Sequence, residues 1–161
     1  GSFSGGWPEW VGSSSGVSGN VAVRVRLVIR GKEGRVEEVA LLNSGYEAPT
    51  PQLMIPTSTA RRLGMWPPTA DAREADVDTA GGPLRVWYYP RAALVKVVTA
   101  DGVESREVLA DVLVSPLTDE SLISDQLAEE LEIAVEAFGR GLWRFRWEPS
   151  GKLRPSEPKP S

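Results

Sequence analysis

The sequence predicts a mainly β single domain with one or two short helices. Three observations lead there: apolar residues recur at every second position over several stretches, glycine-bearing turns separate those stretches, and only two segments carry helix start and stop signals. At 161 residues the chain is long enough for one real core and too short for two ordinary domains.

Residues 1–20 are rich in Gly and Ser around Trp7, Pro8 and Trp10. Such a segment buries too little to offset chain entropy and is expected to be flexible, with the two tryptophans as candidates for docking on the domain or on a partner. The ordered domain is expected over 21–148. Val21, Val23, Val25, Leu27 and Ile29 alternate with a face carrying Arg24, Arg26 and Arg30, which is the period of a half-buried strand. Gly31-Lys32-Glu33-Gly34 predicts a hairpin turn, and Arg35 to Leu42 returns as the partner strand. Ala48-Pro49-Thr50-Pro51 forbids helix. Pro56 to Gly64 predicts a short packing helix with a hydroxyl near its N-cap and Gly64 as its stop. Strands at Glu74–Val77 and Leu84–Tyr89 bracket Asp78-Thr79-Ala80-Gly81-Gly82-Pro83. A further hairpin spans Leu94–Thr99 and Glu104–Val114 around a turn at Asp101-Gly102. The pair Leu122-Ile123 leads into a helix from Asp125 to Leu131. Trp143, Phe145 and Trp147 then alternate with Arg144 and Arg146, giving a strand with one aromatic face, read as core packing with a subunit contact as the alternative. Residues 149–161, rich in Pro, Ser, Lys and Glu, are expected to form a disordered tail.

Composition narrows the chemistry. With no His and no Cys, the chain supplies no Ser-His or Cys-His nucleophile, no His-ligated zinc site, no CxxC pair and no disulfide. Acid–base work near neutrality is left mainly to carboxylates, which become useful there when burial or a partner shifts their pKa. The net charge of −4 and pI near 5.0, with Lys and Arg scattered, point away from nucleic acid and anionic membranes as partners. No apolar run approaches a membrane span. Gly1-Ser2 with no initiator methionine reads as the scar of a cleaved tag. The expected location is cytoplasmic, with a native signal or anchor ahead of Gly1 left open.

The stretch that organises the chain is Val39-Ala40-Leu41-Leu42-Asn43-Ser44-Gly45-Tyr46. An apolar strand ending in a polar group, a hydroxyl and a glycine describes delivery of a side chain to a cavity, with glycine admitting another main chain nearby. The run resembles the catalytic motif of the retropepsin-like aspartic proteases, in which two apolar residues precede Asp, Thr or Ser, and Gly, except that the Asp is replaced by Asn43. Ile55-Pro56 to Ala60 followed by Leu63-Gly64, and Leu122-Ile123 followed by Gln126-Leu127-Ala128-Glu129-Glu130-Leu131, resemble later segments of cellular archaeal and bacterial members. The similarity covers roughly residues 21 to 147 in the expected order. It departs from the family at Ser124, where a Gly commonly follows the apolar pair.

The resemblance implies a single-domain acid-protease β-barrel acting as a twofold homodimer, because the chain holds one credible copy of the motif and the second must come from a symmetry mate. It implies an aspartic endopeptidase acting on peptide or unfolded-protein substrates without a cofactor or metal. Two carboxylates about 3 Å apart share one proton, one polarising the scissile carbonyl while the other takes a proton from the attacking water. Ser44 stands where the family's hydroxyl braces the two motif loops, and Gly45 where close approach leaves no room for a side chain. The resemblance also places a flexible flap at the Gly81-Gly82 tip, with Trp87, Tyr88 and Tyr89 as candidate cleft residues. Asp78-Thr79-Ala80 is a rival catalytic tripeptide, but it lacks a buried apolar approach.

Asn43 changes the expectation, since an amide neither ionises nor relays a proton, and a dimer loses both halves of the dyad together. The chain as written is expected to be inactive. Either an Asp was deliberately replaced, which the tag scar favours, or this is a natural pseudoprotease that binds extended peptides in the same cleft. A structural β-domain with no cleft is the third reading.

Overall fold

The first hairpin sets the inside and outside of the molecule. In the computed structural model, which describes residues 22–42, 46–79 and 82–159, β1 (Arg24–Arg30) buries Val25, Leu27 and Ile29 completely while Arg24 and Arg26 stay partly exposed. Antiparallel β2 (Arg35–Leu42) pairs with it from Arg30↔Arg35 to Arg24↔Leu41. The Gly31 N–H closes the turn on the Gly34 carbonyl at 2.9 Å. A side chain at Gly34 would begin 2.7 Å from the Arg62 carbonyl oxygen, so the turn lies against the next helix only because glycine stands there.

A strand that the sequence pattern did not announce follows. β3 (Gln52–Pro56) is buried at all five positions, and a strand covered on both faces shows no alternation. It runs straight into α1 (Thr57–Arg62), whose N-cap position is held by Pro56 with no side-chain bond, so the expected hydroxyl cap is not used. The helix stops as foreseen at Gly64, with φ +73°.

Next come β4 (Arg73–Thr79) and the 17-residue β5 (Gly82–Val98). The two strands expected at 84–89 and 94–99 are therefore one, bent at a bulge. Between Tyr89↔Val112 and Ala93↔Ala110, β5 advances four residues while its partner β6 (Val108–Ser115) advances two. The turn at Asp101-Gly102 is present, but residues 104–107 contribute only a single bridge, Val98↔Glu104. β7 (Ser121–Ile123) and α2 (Asp125–Glu130) follow, then β8 (Ile133–Ala137), β9 (Leu142–Phe145) and β10 (Arg154–Pro155).

Strands make up 49% of the described residues against 11% helix, so the molecule is mainly β with two short helices. Six strands close into a barrel in the order β1-β2-β7-β3-β6-β5, and β5 returns to β1 from Arg30↔Leu94 to Arg26↔Val98. Closure leaves these strands without free edges. β4 lies outside the ring on β5, and β10-β9-β8 form a separate small sheet. The barrel's interior cluster takes residues from every ring strand together with Leu127, Leu131, Trp143 and Phe145. The aromatic face of β9 is thus core packing at Trp143 and Phe145, while Trp147, 48% exposed, stacks on Phe145 at 4.3 Å. No helix among the described residues is long and apolar enough to cross a membrane.

Composition predicts a disordered tail from 149, yet its described part is tied down. Arg154 and Pro155 pair with Trp143 and Leu142, and Arg154, 8% exposed, grips both Glu148 and Asp101. The Arg24 amide donates to Ser156 Oγ at 2.7 Å, and the Glu157 amide donates to the Arg24 carbonyl at 2.9 Å. The disorder argument weighs apolar burial, whereas this segment is held by a buried ion pair and main-chain bonds.

Arg154 holds the Glu148 carboxyl below its ordinary value of 4.5. Replacing Arg154 by Ala leaves a buried carboxylate without its strongest partner, and urea unfolding near neutral pH should show a loss of about 3–5 kcal/mol. A folded-state pKa below the unfolded one stabilises above the ordinary value, and that gain disappears as pH falls through the lower one. The difference between the parent and Arg154→Ala should therefore narrow in acid; a constant difference would refute the pairing as its source.

Candidate functional site

β2, β7, β3, β6 and β5 are successive neighbours in the ring, and their registers align residues into rows across it. Leu42, Ile123, Leu53, Val112 and Tyr89 form one row, and all belong to the interior cluster. Side chains alternate along each strand, so the adjacent row, Leu41, Leu122, Met54, Leu113 and Tyr88, stands on the opposite face. The four aliphatic members are buried there in a second cluster with Tyr46, Ala48 and Val86. This explains why β2 ends in four buried residues: both of its faces are covered.

Asn43, Ser44 and Gly45 lie outside the described residues, but the chain on either side of them is fixed. Before them the Leu42 amide donates to the Val23 carbonyl at 2.9 Å. After them the Asp125 amide donates to the Tyr46 carbonyl at 2.8 Å, and Asp125 Oδ1 accepts from the Ala48 amide at 2.9 Å. The start of α2 thus clasps the segment after 43–45 in both directions. Ser124, the departure from the resembling family, has a use of its own here. Its buried hydroxyl oxygen caps α2 by accepting from the Leu127 amide at 3.1 Å and also accepts from the Gln52 amide of β3 at 3.0 Å.

The glycine tip expected as a flap falls at the end of a two-stranded ribbon. From Ala75↔Val86 to Thr79↔Gly82, β5 pairs with β4 alone, beyond the reach of β6. Gly82 closes the last pair, while Ala80 and Gly81 lie outside the described residues. Asp78 and Thr79, from the rival tripeptide, belong to this ribbon end. The three aromatics expected to line a cleft are divided between faces. Tyr88 stands with the second cluster; Trp87 packs against the interior cluster, and Tyr89 belongs to it and donates its hydroxyl to the Met65 carbonyl at 2.6 Å.

Beside the apolar row lies a polar group that the motif search missed. Asp111 of β6, 5% exposed, accepts at Oδ2 from Thr50 Oγ1 and from the Tyr88 hydroxyl, each at 2.7 Å, and at Oδ1 from the Arg91 amide at 2.7 Å. Gln52, its neighbour across β3, donates to Thr50 Oγ1 at 3.3 Å and accepts from the buried Tyr46 hydroxyl at 3.0 Å. The signal was in the sequence, since Asp111 is the one charged residue inside Val108-Leu109-Ala110-Asp111-Val112-Leu113-Val114. Burial, then the hydrogen bond to Asp111, pushes the Tyr88 phenol up to about 12. Burial, with the charge of Asp111 adding to it, raises Tyr46 well above its ordinary value. Both phenols are fixed as donors, and a carboxylate already accepting three bonds has a positioning character more than a reactive one. Among the described residues no group of three His, Cys, Asp or Glu side chains could hold a metal ion. A groove of about 610 Å³ opens elsewhere, beside the β5 bulge, between Lys32, Met65, Asp71, Arg73 and Arg91.

An absorbance titration of tyrosinate should show the Tyr88 transition near pH 12. Asp111→Asn should move it part of the way back toward 10, since burial and a neutral hydrogen bond remain while the charge is lost. A midpoint unchanged by the substitution would contradict this coupling. No protein-family model matches the sequence, and no curated protein shows significant similarity to it.

Proposed function

We propose that the chain is the subunit of a homodimeric retropepsin-like aspartic endopeptidase, held inactive by Asn43. The observation that carries this reading is the parallel pairing of Leu41 with Leu122 and Leu42 with Ile123. The two apolar pairs on which the resemblance rests are some eighty residues apart in sequence, and they lie side by side just ahead of the point where residues 43–45 begin. The six-strand barrel, the clasp of α2 on the segment after 43–45 and the ribbon beyond the ring fit the same reading.

In the Asp form, one carboxylate from each subunit flanks a water. One takes its proton as the oxygen attacks the scissile carbonyl, and the other donates a proton to the carbonyl oxygen. Collapse of the tetrahedral intermediate then transfers a proton to the leaving amine. The ribbon acts as the flap, excluding water and holding an extended peptide. One residue favours a second reading, a pseudoprotease that binds peptides without cutting them, and that residue is Asn43 itself.

Asn43→Asp should convert an inert protein into one that cleaves denatured protein somewhere between acidic and neutral pH, with inhibition by a statine-type transition-state mimic. The parent should show no turnover. If neither form cuts while both bind peptide as dimers, the pseudoprotease stands; if neither cuts nor binds, both readings fall.

A further inference from the structure

We propose that Asp111 is a positioning residue that fixes the base of the β4–β5 ribbon against the segment 46–51, so setting where the ribbon stands when an extended peptide binds beneath it. The inference rests on the peptide-cleft reading above for its functional meaning, but the coupling itself stands on the described geometry.

Three donors converge on Asp111, each from a different part of the chain. Thr50 belongs to the segment that follows residues 43–45, Tyr88 to the foot of the ribbon, and Arg91 to the bulge that bends β5 within the barrel. The segment is fastened to β6 a second time, through the Asp111 amide and the Pro51 carbonyl at 2.9 Å. Arg91 sits at φ +48°, a left-handed conformation uncommon for a residue with a side chain, and the bond from its amide to Oδ1 compensates for that strain.

The hydrogen bonds have a fixed direction. An ionised carboxylate only accepts, so Thr50 must give its single proton to Asp111, and Thr50 Oγ1 then accepts from Gln52, which in turn accepts from Tyr46. All protons point toward one buried charge, an arrangement in which each bond strengthens the next. Among the described residues no Lys or Arg side-chain nitrogen lies within 4.0 Å of the Asp111 carboxylate, so neutral donors take the place of its lost hydration. Loosening either the ribbon or the segment therefore weakens the charge's hold on the other. An amide at position 111 would fail differently. With its oxygen turned to Thr50 and Tyr88, its NH₂ would face the Arg91 amide, donor against donor.

Hydrogen–deuterium exchange on the chain as it stands tests the coupling without requiring catalysis. Tyr88→Phe and Thr50→Val each remove one donor and keep a side chain of similar shape. Each should speed exchange about tenfold or more in both the ribbon and segment 46–51, as expected for losing a hydrogen bond to a buried charge, and leave β1 and β2 unchanged. A response confined to the mutated segment, or none, overturns the proposal. In the Asn43→Asp background, Tyr88→Phe should raise KM about tenfold with little change in kcat. A fall in kcat alone overturns the role in peptide positioning. If Asn43→Asp itself shows no turnover, the endopeptidase reading fails, and the exchange experiment still decides whether Asp111 couples the ribbon to segment 46–51.

Discussion

One strand, β5, has to satisfy two structures at once, and the rest of the molecule is arranged around that constraint. Its last residues, Leu94 to Val98, close the barrel against β1, its first, Gly82 to Val86, pair with β4 alone, and Trp87 to Tyr89 between them pair with β6 in the ring. The bulge between Tyr89 and Ala93 lies within the ring, where it breaks the register with β6 and bends the strand ahead of its pairing with β1. The geometry of the candidate site thus depends on a backbone irregularity whose Arg91 amide is bound by a single carboxylate.

Among the described residues two carboxylates are kept almost wholly from water, and they are stabilised by opposite means. Glu148 is given a full positive charge, the Arg154 guanidinium, in a pair that also lies over the rings of Trp143 and Phe145. Asp111 is given only neutral donors. An ion pair is tolerant of small movement because Coulomb attraction falls slowly with distance, whereas hydrogen bonds to a hydroxyl or an amide weaken steeply as angle and length change. The first arrangement suits fastening a chain end, and the second suits holding a shape.

Much of the fold could be read locally. Val25, Leu27 and Ile29 declared their strand by alternation, Gly31 to Gly34 declared the turn, and Leu122-Ile123 announced the helix that follows from Asp125. What escaped was set by distant pairing. β3 shows no alternation because β7 and β6 flank it and both faces are covered, and the ring order depends on contacts between segments far apart in sequence. The tail was misjudged because composition does not reveal that Arg154 has a buried partner in Glu148. The candidate site was legible by halves: Leu41-Leu42 and Tyr88 were singled out, while Asp111 was hidden in an apolar run that drew attention only as a strand. The face each aromatic takes followed from register, which fixed Tyr88 and Trp87 on opposite sides.

The outermost strand has a consequence for how the protein behaves in a crowded solution. Among the described residues β4 has one neighbour, so its other edge presents main-chain donors and acceptors to any extended chain that drifts past. Its side chains guard that edge: Glu74 and Asp76 are exposed and already engaged by Arg85 of β5. A strand arriving there would meet acidic groups on an acidic protein, and an indiscriminate apolar segment would gain main-chain bonds but find little to bury.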